Sequence, residues 1–274
     1  MSRIGLRLET YKREGKTALV SFITAGDPSI DITVPALQAL VKGGVYILEL
    51  GVPFSDPEAE GPTIQKSSER ALANGANLAT VVEMVRDFRR IDSNTPVLLM
   101  GYFNSLLRMG PDHFAKSVVE AGIDGVIIVN LPPEEAVDIQ RLLLAAGLDL
   151  IFLIAPTTTE TRMQSIVSAA RGFIYYVSLK GVTGAQHLEV ETVRKEVREV
   201  QSHTRLPVMV GFGVNNALDA GRIATYADGV VVGSALVRTM EDLRDSEREI
   251  PGALEAQAKK IRAAMDETDQ QARE

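Results

Sequence analysis

The sequence predicts a single (β/α)8 barrel of the α/β class, and three observations carry that prediction. Eight apolar runs of strand length recur along 274 residues. The segments between them show the three-and-four spacing of helices. The length suits a barrel that uses about 250 residues as one domain. Runs rich in Val, Ile and Leu without polar alternation are what strands covered on both faces require. Eight such runs alternating with helices imply parallel pairing through right-handed crossovers, and closure removes the two edges an open sheet would leave.

In chain order the predicted strands are residues 18–24, 46–51, 97–102, 125–130, 150–155, 173–178, 207–211 and 229–233. An extra helix is expected ahead of the first. Longer inserts interrupt the rhythm after the second and sixth strands, at 52–75 and 179–187, and long βα loops in a barrel lie at the catalytic face. Among the helices, Pro111 opens one before Phe114 and Val118, while Gly122, Gly147 and Gly172 close three others. Val190, Val193, Val197 and Val200 form one apolar stripe, and Leu254, Ala258, Ile261 and Met265 another. One domain is expected over residues 1–274, with fraying after about residue 266.

Composition narrows the function. A net charge of −7 disfavours a nucleic-acid ligand, whose affinity comes from Lys and Arg neutralising phosphates. With no cysteine and three histidines, thiolate chemistry is excluded and imidazole metal sites are poorly supplied; no metal is expected. The first residues carry charges where a secretion signal needs an apolar run. No stretch of about 18 uncharged apolar residues occurs either, so a cytoplasmic location is expected.

Four stretches can carry chemistry. In Leu48-Glu49-Leu50-Gly51 a carboxylate interrupts an apolar strand near its carboxyl end. Desolvation there raises its pKa toward neutrality and suits it to acid–base work; a salt bridge at the barrel end is the alternative. The loop that follows holds Asp56, Glu58 and Glu60 between Pro53, Pro57 and Pro62, and on spacing alone these are solvated charges. Glycine-containing turns follow strands six, seven and eight: Lys180-Gly181-Val182-Thr183-Gly184, Gly211-Phe212-Gly213 and Gly233-Ser234. Each alone is compatible with an ordinary tight turn. Three in consecutive βα loops point to an anion cradle at a helix N-terminus, as phosphate-binding barrels build it.

The Glu-Leu-Gly strand with Pro53-Phe54-Ser55-Asp56-Pro57 and Gly61-Pro62-Thr63-Ile64-Gln65, together with Ile23–Pro28, Gly181–Gly184 and the two later glycine turns, resembles the tryptophan synthase α-subunit family over nearly the whole chain. That resemblance implies retro-aldol cleavage of indole-3-glycerol phosphate to indole and glyceraldehyde 3-phosphate, without metal or cofactor in this chain. Glu49 is then the general acid–base, and Glu60 stands where the family has an Asp that holds the indole N–H. Phe22, Tyr102, Tyr175 and Phe212 match indole-pocket positions, Thr183 the residue that orients the second carboxylate, and Gly184, Gly213, Gly233 and Ser234 the phosphate site. The family works in an α2β2 assembly beside a pyridoxal-phosphate-dependent β subunit with allosteric signalling across the interface. Pro53, Phe54, Asp56 and Pro57 are the contact positions implied; self-association through the same rim is the alternative.

Four residues depart from the family pattern: Glu60, Glu58 in place of an apolar residue, Asn130 and Tyr46 each in place of an Asp. Glu60 lengthens a positional group by about 1.5 Å, and a displacement near 1 Å can cost about a hundredfold in rate. The isolated chain is therefore expected to be slow, and Glu60→Asp to speed it. Two other functions compete with cleavage by paired carboxylates: a Schiff-base aldolase using Lys180, and a phosphate-binding barrel acting mainly as a regulatory subunit.

Overall fold

Strands β1 (Ala18–Thr24), β2 (Ile47–Gly51), β3 (Val97–Gly101), β4 (Gly125–Ile128), β5 (Asp149–Ile154), β6 (Ile174–Val177), β7 (Val208–Gly211) and β8 (Gly229–Val232) pair in parallel in that order, and β8 closes on β1. This computed structural model describes residues 2–178, 187–211 and 213–273, with backbone only at 187–190. Each predicted run holds its strand within two residues at either end. The helices among the described residues are α1 (Arg3–Arg13), α2 (Thr33–Lys42), α3 (Pro62–Ala73), α4 (Leu78–Arg89), α5 (Phe103–Met109), α6 (Pro111–Ala121), α7 (Val137–Ala145), α8 (Glu160–Ala169), α9 (His187–His203), α10 (Ala217–Ala224), α11 (Ser234–Asp242) and α12 (Ile250–Gln271).

Two apolar layers follow from the strand period of two. Val20, Ile47, Leu98, Ile127, Ile151, Met209 and Val231 fill the barrel interior, while Leu19, Ile23, Leu48, Leu50, Leu99 and Val126 face the helices. Helix α1 plugs the amino-terminal mouth with Ile4 and Leu8. Its cap Ser2 accepts from Gly5 N at 3.1 Å and donates to Asp149, and Arg3 pairs with Asp124, which Arg89 also reaches at 2.8 Å. The plug is thus apolar at its centre and ion-paired at its edge.

Two expectations meet a different structure, and one departure from the family pattern finds its place. The insert after β2 is only half loop, because α3 begins at Pro62, whose missing N–H costs nothing in the first helical turn. Beyond residue 266, where fraying was expected, the chain is helical. Helix α12 continues to Gln271, and Asp269 is buried, accepting from Thr17 N (2.9 Å), Thr17 Oγ1 (2.6 Å) and Arg262 Nη2 (3.1 Å). Polar residues at the end of the helix read as a solvated tail, yet one of them is an anchor. Tyr46 lies just before β2, at the opposite end of that strand from Gly51. Its hydroxyl donates to the Arg7 carbonyl at 2.6 Å and its ring meets Tyr11, so it packs on the α1 plug away from the catalytic face.

Candidate active site

At the carboxyl ends of the strands, the inward-facing residues enclose a cavity of about 300 Å³. On β2 the period of two turns Ile47 and Glu49 inward and sends Leu48 and Leu50 to the helix layer. In register, Glu49 lies beside Phe22 of β1 and Leu98 of β3. Two glycines make room for the aromatic walls. A Cβ at Gly51 would come within 2.6 Å of Phe22 Cζ, and one at Gly211 within 2.5 Å of the Tyr175 hydroxyl.

Glu49 is 1% exposed, and among the described residues neither carboxyl oxygen has a hydrogen-bond partner. Burial, with the Glu60 charge adding, raises its pKa to about 8. The group is therefore protonated near neutrality and able to give or take a proton in a dry setting. Burial and then the Glu49 charge also push the Tyr175 phenol well above its usual range. The salt bridge considered for Glu49 is not formed among the described residues.

Glu60 enters the same cavity from the loop before α3. Burial raises its carboxyl pKa and a hydrogen bond from the Tyr102 hydroxyl partly offsets this. That hydroxyl also accepts from Ala59 N at 3.1 Å, and Gln65 Nε2 donates to the Glu60 carbonyl at 2.8 Å. Tyr102 thus meets the cavity through Glu60. Its ring stacks on Phe54 with centroids 4.8 Å apart, and its hydroxyl reaches the site at the Glu60 carboxylate.

The same cavity is lined by Gly213, with φ 79°, and by Gly233 and Ser234, where α11 begins. The N-terminus of that helix presents backbone donors and the positive end of its dipole to the same space. The structure accordingly brings together Phe22, Glu49, Glu60, Tyr175, Gly213, Gly233 and Ser234. Lys180, Thr183, Gly184 and Phe212 lie outside the described residues. Of the implied contact positions, Pro53 and Phe54 line a separate cleft of about 700 Å³ with Asn104, Arg108 and Met109. Asp56 is exposed and accepts from Ser55 Oγ at 2.6 Å, and Pro57 is half-buried in the same loop.

Two departures from the family pattern fall outside the cavity lining. Asn130 accepts from Phe103 N at 2.8 Å, so its amide oxygen satisfies the first turn of α5 as a carboxylate would. Glu58 is exposed on the loop ahead of Glu60. Sequence reasoning missed Arg238 and Asn215, both at the cavity. The spacing of Arg238, one helical turn after Ser234, was the available signal. It also missed Met100, Val129 and Leu153, which counting by two along β3, β4 and β5 would have found. Among the described residues no cluster of three metal-ligating side chains occurs, and no helix is long and apolar enough to cross a membrane.

Comparison with known proteins agrees with this geometry. A family model described as Tryptophan synthase alpha chain matches residues 8–266. The chain is 52% identical over 242 residues to the tryptophan synthase alpha chain of Ralstonia nicotianae, covering 88% of this chain and 91% of that one. It is 48% identical to that of Nitrosococcus oceani over 98% of this chain and 99% of the relative. Among solved structures, tryptophan synthase subunit alpha from Legionella pneumophila superposes with a TM-score of 0.92 at 42% identity, covering 97% of this chain and 99% of that chain. A tryptophan synthase chain from M. tuberculosis in an aminoacrylate-bound form reaches 0.85 at 34% identity, covering 97% of this chain and 100% of that one. By sequence and by fold alike, the chain belongs to the tryptophan synthase alpha chain family.

Proposed function

We propose that the chain is a lyase of tryptophan biosynthesis that cleaves indole-3-glycerol phosphate into indole and glyceraldehyde 3-phosphate, with Glu49 and Glu60 as the working carboxylates. The observation that carries this reading is the unpaired, buried Glu49 carboxyl facing the same cavity as Glu60 and the start of α11. Protonated at neutral pH, Glu49 gives its proton to C3 of the indole ring. Positive charge then develops on the ring nitrogen, and the Glu60 carboxylate stabilises it while accepting the N–H. The Glu49 carboxylate so formed takes the proton of the adjacent side-chain hydroxyl as the carbon–carbon bond breaks and the aldehyde forms. The electron pair of the broken bond neutralises the charge on the ring nitrogen and the proton lost from oxygen balances the one gained by carbon, so the step asks for neither an external electron sink nor a redox partner.

The phosphate lies at Gly213, Gly233 and Ser234 and fixes the far end of the substrate, which leaves the indole among Phe22, Tyr175 and Leu153. Thr183, Gly184 and Phe212 complete the site in this reading. The partner is a tryptophan synthase β subunit, which carries the pyridoxal phosphate, and the cleft bordered by Pro53, Phe54 and Arg108 receives it, with Asp56 and Pro57 at its rim. The direct test is indole release from indole-3-glycerol phosphate by the native chain and by Glu49→Gln. Release by the first and loss in the second is expected. Equal release by both would overturn the assignment.

A further inference from the structure

The cavity is unbalanced in charge. Among its described lining residues are two carboxyl groups, the protonated Glu49 and Glu60, and a single cation, Arg238. A phosphate monoester adds about −1.5 to −2 near neutrality. The start of α11 offsets only about half a charge, within its first turn. A ligand of that class therefore needs a full positive charge to enter beside the Glu60 carboxylate.

Arg238 is placed to supply it. It follows Ser234 by one turn of α11, and helical side chains lean toward the N-terminus, so the guanidinium lies over the end of the helix that faces the cavity. It does not hang free: Arg238 Nη2 donates to Asn215 Oδ1, and Asn215 Nδ2 donates to the Gly213 carbonyl at 2.9 Å. The cation, the turn after β7 and the start of α11 form one bonded unit.

We propose that Arg238 is a specificity-determining residue: its guanidinium, positioned by Asn215, makes the cavity prefer phosphorylated over unphosphorylated substrates. This deepens the phosphate reading of the site and rests on it. The group stands at the exposed rim, where water screens it, so its effect is moderate and falls as salt rises.

The test compares the native chain with Arg238→Gln and Arg238→Lys, using indole-3-glycerol phosphate, the same compound without its phosphate, and inorganic phosphate as inhibitor. Arg238→Gln is expected to raise KM for the phosphorylated substrate about tenfold, with kcat within about twofold. Inhibition by inorganic phosphate should weaken by a similar factor, and Arg238→Lys should recover most of both. For the unphosphorylated compound, kcat/KM should stay within about twofold. Equal losses on both substrates would make the residue merely structural and overturn the proposal. So would unchanged KM and phosphate inhibition while the native chain is clearly inhibited. A native chain indifferent to phosphate would overturn the phosphate site itself along with the proposal.

Discussion

The Tyr102 hydroxyl donates to the Glu60 carboxylate and at the same time accepts the Ala59 amide, so one phenol fixes both that carboxylate and the loop that carries it. Tyr102→Phe removes both bonds and leaves the ring and its stack on Phe54. The expected result is a fall in kcat of about 10–100-fold with KM little changed, as for a misplaced catalytic group. Without this donor the Glu60 pKa rises further, so the acidic limb of the rate profile should move to higher pH. An unchanged rate and limb would mean that Tyr102 does not position Glu60.

The same bond reverses the expectation for Glu60→Asp. Read from the sequence, the longer side chain is a flaw that Asp would repair. In the structure the extra methylene is what brings the carboxylate to Tyr102, and shortening it by about 1.5 Å breaks that contact. Glu60→Asp should therefore slow indole release, by about tenfold. In the Tyr102→Phe background it should cost much less, since the contact is already lost, and a double-mutant cycle measures the difference. Additive effects would sink the coupling.

Glu49 ties activity to stability. The native carboxyl keeps its proton up to about pH 8, whereas an unfolded one releases it near its ordinary 4.5. Between those values the native state binds more protons, so stability falls as pH rises through that window. At pH 7 the cost is on the order of 3 kcal/mol. Glu49→Gln should abolish cleavage yet unfold at a higher temperature than the native chain, with a larger gap at pH 8 than at pH 5. With protonated Glu49 as the acid, kcat/KM should fall above about pH 8. A Gln variant less stable than the native chain at pH 8 would contradict the unpaired burial of this group.

Gly51 has no room for a side chain, since Phe22 carbons lie 2.6 and 2.7 Å from where its Cβ would stand. Gly51→Ala should destabilise by about 1–3 kcal/mol, as overpacking does, and raise KM as Phe22 shifts in the cavity. Adding Phe22→Leu should restore part of the stability, which denaturant unfolding of the pair would measure.

Removing residues 267–274 takes Asp269 from Thr17 and Arg262 and leaves a buried guanidinium with less to bind. The expected loss is about 3–5 kcal/mol. Removing only 272–274, beyond the end of α12, should cost no more than about 0.5 kcal/mol. Equal behaviour of the two truncations in thermal unfolding would show that Asp269 is not an anchor.

All eight strands were legible because burial on both faces leaves uninterrupted apolar runs, and Glu49 stood out because it breaks one. The glycine turns were legible as a set because strand order puts them side by side. The roles of Tyr102 and Tyr46 were hidden for a common reason: sequence gives a strand position but not the direction of a hydroxyl. Tyr102 reaches sideways to Glu60, and Tyr46 turns down to the Arg7 carbonyl. Asp269 escaped because polar spacing looks the same whether its partner is water or Thr17, which lies 252 positions earlier. Arg238 was overlooked because its spacing, one turn after Ser234, gains meaning only once Asn215 and Gly213 are seen beside it.

The bond between Thr17 and Asp269 also bears on how the molecule comes into being. Strand β1 finds one neighbour, β2, early, but its other neighbour is β8 and its anchor lies 252 positions downstream. A chain emerging from the ribosome therefore carries an unsealed seam until β8 and Asp269 have been made. Contacts of such long sequence separation slow folding, and an open strand edge invites pairing with other chains. The interval between the birth of β1 and the arrival of β8 is when this protein most needs protection from aggregation.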